Sequence, residues 1–272
     1  MRILESHVCG SWQAPTADGV LTHHAVTGQP VASVSSAGVD LAAAVDHARR
    51  VGGPALRSLG FHERAALLKA VGLHLMAEKE ALYELSTATG ATRADSWIDI
   101  EGGAGVLLGY ASKGRRELPH GNVLVDGDPE ALARDGSFLG VHVATPRLGV
   151  AVQVNAFNFP VWGVLEKLAP ALLAGVPSIV KPATPTAFLT EAMVRLVVDA
   201  GILPDGSLQL VCGRVDGLFD LLDGQDHVAF TGSADTATML RAHPTLGARS
   251  VRFNAEADSL NAAVLGRAAA PG

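Results

Sequence analysis

The sequence is poor in the groups that build covalent frameworks. Only Cys9 and Cys212 occur in 272 residues, too few for a disulfide scaffold, and a reducing cytoplasm is the compartment this usage predicts. Long apolar runs are missing too. The most apolar stretch, residues 161–180, is interrupted by Glu166, Lys167, Pro170 and Pro177, which excludes it as a membrane span. Glu5 and His7 stand where a signal peptide needs an unbroken apolar core. Positive charge is in deficit, with 21 Lys and Arg against 27 Asp and Glu, so the net charge of −6 leaves no basic footprint for nucleic acid. Nucleophile elbows and P-loops are absent, which removes serine hydrolysis and P-loop nucleotide hydrolysis. No Cys or His pair has zinc-ligand spacing, and the adjacent His23 and His24 point to opposite faces of an extended chain, so no metal is expected. The run of Gly102, Gly103, Gly105 and Gly109 is not a dinucleotide fingerprint, because Leu108 stands in place of the third glycine and no strand precedes it. A small-molecule partner remains.

What is present is a compact α/β pattern. Apolar residues make up 48% of the chain and glycines number 30, which argues against disorder and provides ample core. The chain is organised around residues 149–185. A β-branched run from Val150 to Val154 breaks at Asn155, an amphipathic stretch follows to Ala174, and a second buried run from Ser178 to Val180 ends at Lys181-Pro182. That is a β-α-β unit, and open sheets of this kind place ligands beyond the carboxyl ends of their strands, where Asn158 and Lys181 lie. Downstream, helices at 186–200, 215–222 and 234–243 alternate with strands at 208–211, 228–230 and 250–253. The alternation predicts a Rossmann-like, doubly wound parallel sheet.

Upstream, residues 1–39 read as short strands and turns. Asp40 caps a helix that Gly52-Gly53-Pro54 stops. Leu68, Val71, Leu75, Leu82 and Leu85 give residues 62–89 the apolar stripe of one long helix, and a third helix spans 92–116. Residues 119–146 read as strands separated by Asp-Gly turns. The closing Arg267 to Gly272 shows no periodicity.

Four motifs in register, NAFNFP at 155–160, KPAT at 181–184, FTGS at 230–233 and the glutamate of NAEADSLN, resemble the aldehyde dehydrogenase superfamily. HHAVTG, FHERAALLKAV, TGATRADSWIDIEGG, EKLAPALLAG and EADSLN extend the resemblance along nearly the whole chain. They are similar to the aldehyde dehydrogenase half of the bifunctional enzymes of phenylacetate catabolism, where that half is fused to an oxepin-CoA hydrolase. A sister family acting on a dehydroadipyl-CoA semialdehyde in benzoyl-CoA breakdown is also similar, and the TGATRADSWIDIEGG run favours the first.

The resemblance implies that residues 1–272 form the N-terminal cofactor-binding domain of a cytoplasmic enzyme that oxidises a CoA-linked semialdehyde to the acid. Residues 118–147 would be a β excursion used for subunit contacts in a homo-oligomer, with a plain surface hairpin as the alternative. The matching Asn158 would hold the oxyanion formed when a cysteine thiolate attacks the aldehyde, a donor role worth about 2.7–4 kcal/mol. The matching Glu256 would activate the water that hydrolyses the thioester, a task suited to a raised pKa in a partly dry pocket. Asp258 is close enough to contest that role. The family's usual Pro-Trp before the asparagine is Ala156-Phe157 here, and its Leu-Gly-Gly-Lys after the glutamate is Ala257-Asp258-Ser259-Leu260.

Lys181, Thr184, Thr231, Gly232 and Ser233 form the implied cofactor set, with the amides opening the helix after Ser233 facing a pyrophosphate. Thr184 replaces a glutamate frequent in NAD-preferring relatives, and a glutamate would repel a 2′-phosphate by about 4 kcal/mol at 4 Å and an effective dielectric near 20. NADP is therefore the expected cofactor, with NAD tolerated. Neither Cys9 nor Cys212 matches the family's cysteine motif, so the expectation is a chain truncated before the catalytic domain and inactive alone. The alternative is a non-catalytic module that binds nucleotide or a partner subunit.

Overall fold

The structure is a computed structural model that describes residues 1–259 together with Ala262, Val264 and Gly266. The aperiodic run Arg267 to Gly272 lies outside the described residues, as do Leu260 and Asn261. Five short strands open the chain: β1 (Arg2–Ile3), β2 (Ser6–Val8), β3 (Ser11–Gln13), β4 (Val20–His23) and β5 (Pro30–Val34). Three of them form a small sheet in the order β1-β5-β4.

Asp40 caps α1 (Leu41–His47) as its residue type predicts, its Oδ1 accepting the Ala43 amide at 2.9 Å. The predicted stop at Gly52-Gly53-Pro54 is corrected. A π turn over Ala48–Gly52 carries the helix into α2 (Gly53–Arg57), with Pro54 just after it, and the wider turn accommodates the proline ring and its missing amide hydrogen. Gly52 is there for close approach, since a Cβ would collide with the Gly206 carbonyl. The predicted long helix is two: α3 (Phe61–Ala77) and α4 (Lys79–Ser86) part at Glu78, whose φ of −95° and ψ of 6° leave the helical region. The turn lets α4 pack on α8 (Ala187–Asp199). The third helix runs as α5 (Arg93–Trp97), a π turn over Ile98–Gly102, and α6 (Gly103–Glu117).

A separate antiparallel pair, β6 (Leu124–Ala131) and β7 (Leu139–Ala144), follows. Then come β8 (Ala151–Val154), α7 (Trp162–Leu173), β9 (Ser178–Lys181), α8, and β10 (Leu208–Leu210). β11 (His227–Gly232), α9 (Ala234–Arg241), α10 (Pro244–Ala248) and β12 (Arg252–Ala257) complete the order. The helix expected at 215–222 is only a 3₁₀ turn over Leu218–Leu221, preceded by Gly217 with φ 81°. The last strand runs beyond residue 253 to Ala257, so Glu256 lies on the strand itself.

The main sheet has the order β12-β11-β8-β9-β10-β2-β3. Its first five strands are parallel, as the alternation implies, but β2 and β3 add on antiparallel, so the sheet is mixed. Alternate residues feed opposite cores. Val150, Val152, Ile179, Val211 and Val228 pack with Ala44, Val45 and Leu246 on one face. Val180, Leu208 and Leu210 share the other core with apolar residues of α3, α6, α7 and α8. Helices on both faces make the fold α/β and doubly wound.

One buried cation ties three helices together. Arg64 of α3 is fully buried, and its Nε donates to the Leu173 carbonyl at 2.8 Å while Nη1 donates to those of Leu56 and Leu59 at 3.1 and 2.7 Å. These carbonyls lie at the end of α7 and in and just after the last turn of α2, where a positive charge suits the helix dipole. Burial lowers the Arg64 pKa. Arg64→Met should destabilise the fold by roughly 3 kcal/mol or more, because it leaves buried carbonyls without donors. Urea unfolding checks this, and a loss below about 1 kcal/mol would show that solvent or repacking satisfies those carbonyls.

Candidate active site

The carboxyl ends of β12, β11, β8 and β9 open onto one cleft of about 940 Å³. Asn158, Lys181, Thr184, Thr231, Gly232, Ser233 and Glu256 all line it. The sequence-derived set is thus gathered in a single cavity. Neither thiol is among the lining residues. Cys212 is buried, with its amide donating to Ser6 Oγ at 3.0 Å. Burial pushes both the Cys212 and Cys9 thiols up from their ordinary value, away from thiolate character.

Each side chain arrives by a definite route. Asn158 lies on the exposed loop between β8 and α7. Lys181 is the last residue of β9, and the Asn155 amide donates to its carbonyl at 3.0 Å. Its ammonium has no carboxylate within ion-pair distance among the described residues, and its pKa is lowered by burial and then by the charge of Arg214. Thr184 opens a 3₁₀ turn after β9. Thr231 and Glu256 are directly opposed in the β11–β12 register, and Thr231 Oγ1 donates to Glu256 Oε2 at 3.3 Å.

Two expectations need correction. Glu256 is exposed, since β12 is an edge strand, so it does not sit in the partly dry pocket anticipated for a general base. The amides that open α9 are already engaged: Ala234 donates to Asp258 Oδ1 at 2.9 Å, and Thr236 donates to Ser233 Oγ at 3.3 Å. An incoming pyrophosphate would have to displace Asp258 to reach the first of them. The same contact answers the question of Asp258, whose carboxylate serves as a helix cap although it lines the cleft.

Sequence reasoning missed two contributors. Asn155 is buried in the cleft wall with its Oδ1 unpartnered among the described residues. Its place at a strand end is the only signal that pointed there. Asp99 gave no signal at all. It sits in the π turn between α5 and α6, and its Oδ1 accepts the Val161 and Trp162 amides at 3.1 and 2.7 Å, capping α7 beneath the Asn158 loop. Phe159 and Trp162, with ring centroids 6.3 Å apart, line the same side of the cleft with Ile98.

Burial raises the Asp99 carboxyl to about 6, against the opposing pull of the Trp162 and Val161 amides. Because the folded value lies above the ordinary 3.8, the native state holds a proton that the unfolded chain releases more readily. The stabilisation from that proton is complete below about pH 4 and is lost as pH rises through about 6, a change of roughly 3 kcal/mol. Asp99→Asn keeps an oxygen for both amides and should flatten this dependence while retaining stability at neutral pH. Asp99→Ala should cost about 1–2 kcal/mol at pH 8, the usual cost of losing a helix cap, and roughly 3 kcal/mol more at pH 4, where the parent chain regains the stabilisation of the bound proton. Thermal unfolding between pH 4 and 8 reads both, and an Asn variant as unstable at pH 8 as the Ala variant would sink the cap assignment.

Comparisons with known proteins agree with this architecture. The chain is 47% identical over 270 residues to 3,4-dehydroadipyl-CoA semialdehyde dehydrogenase of Aromatoleum evansii, covering 99% of this chain and 52% of that protein. It is 28% identical to the NADP(+) succinate-semialdehyde dehydrogenase of Escherichia coli, covering 85% of this chain and 47% of that one. The chain thus spans about half the length of the curated relatives it matches. Among solved structures, an Escherichia coli NADP-dependent enzyme superposes with a TM-score of 0.79 at 24% identity, over 95% of this chain and 52% of that chain. The NADP-dependent glyceraldehyde-3-phosphate dehydrogenase of Bacillus halodurans, complexed with NADP, gives 0.78 at 22%, over 94% and 53%. Residues 12–269 match the aldehyde dehydrogenase family, and with the strand-end cleft and its motif residues in one cavity, the chain belongs to that family.

Proposed function

We propose that this chain is the cofactor-binding part of a cytoplasmic NADP-dependent dehydrogenase that oxidises a CoA-linked semialdehyde to its acid during aromatic-ring breakdown, phenylacetate catabolism being the favoured setting. The observation that carries the proposal is the gathering of Asn158, Lys181 and Glu256 around one cleft. The name of the 47% identical relative supports the substrate class. NADP fits the residues present, because the half-buried Lys181 ammonium has no anionic partner among the described residues and Thr184 brings no negative charge beside it. Lys181 and Thr184 would hold the 2′-phosphate, and Thr231, Gly232 and Ser233 the pyrophosphate once Asp258 yields the Ala234 amide. When bound, the nicotinamide accepts the hydride of the aldehyde carbon.

Asn158 donates its side-chain amide to the oxyanion that forms on thiolate attack, without ionising itself. Glu256 takes a proton from the water that cleaves the thioester, and its exposure gives that water access to the carboxylate. The attacking thiolate is neither Cys9 nor Cys212, since neither lines the cleft. That same observation favours a second reading, in which the chain binds nucleotide or a partner without catalysing.

The two-stranded β6–β7 unit supports a role in subunit contact. Val125, Leu132, Phe138, Leu139, Val141 and Val143 are all exposed on it, and an isolated hairpin is only marginally stable in water. A homo-oligomer that covers these side chains is the proposed assembly. Phe138→Asp with Val141→Lys should shift sedimentation toward the monomer with the fold intact, and an unchanged oligomer would remove the hairpin from the interface.

Calorimetric titration of the chain with NADP and NAD separates the cofactors. NADP should bind more tightly, and Thr184→Glu should weaken it at least about tenfold while leaving NAD within about threefold. Equal affinity in the parent chain would defeat the NADP assignment. Incubation of the chain alone with aldehyde and NADP should yield no NADPH, and robust turnover would overturn the exclusion of its two thiols.

A further inference from the structure

Lys181 has a cationic neighbour that the family motifs do not include. β9 and β10 run parallel, with Leu210 paired to Val180 and the Val211 amide donating to the Val180 carbonyl at 2.9 Å. The two strands therefore end side by side, one at Lys181 and the other leading through Cys212 and Gly213 to Arg214. The backbone of this second exit is fastened. Gly213 has φ +133°, where a Cβ would stand 2.5 Å from the Ser36 amide nitrogen, and Ser36 Oγ donates to the Arg214 carbonyl at 2.6 Å.

The Arg214 side chain, by contrast, lies outside the cleft lining and is held, among the described residues, by Asp216 two residues on. Its Nε and Nη2 donate to Asp216 Oδ2 and Oδ1 at 2.6 and 2.9 Å, and the two side chains are 85% and 72% exposed. An ion pair this exposed contributes little and exchanges readily. Arg214 is near enough to Lys181 for its charge to disfavour the ammonium there. Two cations thus stand at adjacent strand ends, one without a carboxylate partner among the described residues and one with a partner it can give up. A phosphate monoester bearing nearly two negative charges relieves both, and the guanidinium fork accommodates its oxygens in pairs.

The geometry points to Arg214 as a second ligand of the cofactor's 2′-phosphate, released from Asp216 when the phosphate arrives, so that Asp216 competes with NADP for the same guanidinium. This rests on the NADP reading above and adds a specificity-determining residue to it. It requires opposite effects from two neighbouring residues. Loss of Arg214 should weaken binding of the 2′-phosphate, and loss of the Asp216 charge should strengthen it.

Adenosine 2′,5′-bisphosphate and adenosine 5′-monophosphate probe the 2′-phosphate without any aldehyde chemistry. In calorimetric titrations of the 272-residue chain, Arg214→Ala should weaken the bisphosphate about tenfold, the value of one charged hydrogen bond, and leave the monophosphate within about twofold. Asp216→Asn should strengthen the bisphosphate about two- to fivefold, and raised salt should erase that gain. If Lys181→Ala weakens the bisphosphate and Arg214→Ala does not, the Arg214 assignment fails while the NADP reading stands. If Asp216→Asn weakens binding as Arg214→Ala does, the pair is a fixed structural unit and the exchange is refuted. A parent chain that binds both probes equally would refute the NADP reading and this inference together.

Discussion

Helix α7 is held between two buried charges of opposite sign. Asp99 accepts the amides of Val161 and Trp162 where the helix begins, and Arg64 donates to the Leu173 carbonyl where it ends. Each charge meets the end of the helix whose partial charge opposes its own. Burial works against both ions, raising the Asp99 carboxyl and lowering the Arg64 guanidinium, so each persists through the backbone groups that solvate it. The arrangement matters because α7 connects the Asn158 loop to the strand ending at Lys181. A shift or rotation of the helix would move both walls of the cleft together. Since Asp99 belongs to the α5–α6 run and Arg64 to α3, the helices that pack beneath the sheet also set the geometry above it.

This explains what the sequence could and could not disclose. The β-α-β alternation around residues 149–185 was legible because apolar periodicity reports burial directly, and the motif residues Asn158, Lys181 and Thr231 follow from strand ends that the same periodicity locates. Asp99 and Arg64 were illegible for a different reason. Asp99 meets main-chain amides of a segment 62 residues away, and Arg64 meets a carbonyl 109 residues away beside two nearby ones, and main-chain partners leave no trace in side-chain spacing. In a helical pattern, a carboxylate inside WIDIEGG or a guanidinium inside HERAAL reads as a solvated face.

The errors along the chain have a common origin in tertiary override of local signals. Gly52-Gly53-Pro54 carries strong stop chemistry, yet a π turn absorbs the proline, and Gly52 serves a close approach to Gly206. The stripe through Leu75 and Leu82 continues past Glu78, so periodicity alone could not show that the helix turns there to reach α8. The antiparallel edge made by β2 and β3 was unforeseeable because strands of three residues carry too little pattern to name a partner. The extension of β12 to Ala257 depends on pairing with β11 through Thr231 and Gly232, two residues that read more naturally as the start of a turn.

The cleft has an electrostatic direction that follows from strand order. At the β12 end stand the carboxylates of Glu256 and Asp258, the neighbouring β11 end supplies Thr231 and Ser233, and the β8 exit brings the neutral amides of Asn155 and Asn158. Lys181 follows at β9 and Arg214 beyond β10. The strand ends thus pass from anionic through neutral to cationic across five adjacent strands, of which the first four open onto the cleft. A phosphate monoester is favoured at the β9 end, whereas at the β12 end it would face two carboxylates. In the proposed cofactor complex that polarity favours the 2′-phosphate at Lys181 and turns the reacting end toward Asn158 and Glu256, which arrive from the strands on either side of β11. Orientation and chemistry are therefore consequences of one topological fact, the sequence in which the parallel strands were laid side by side.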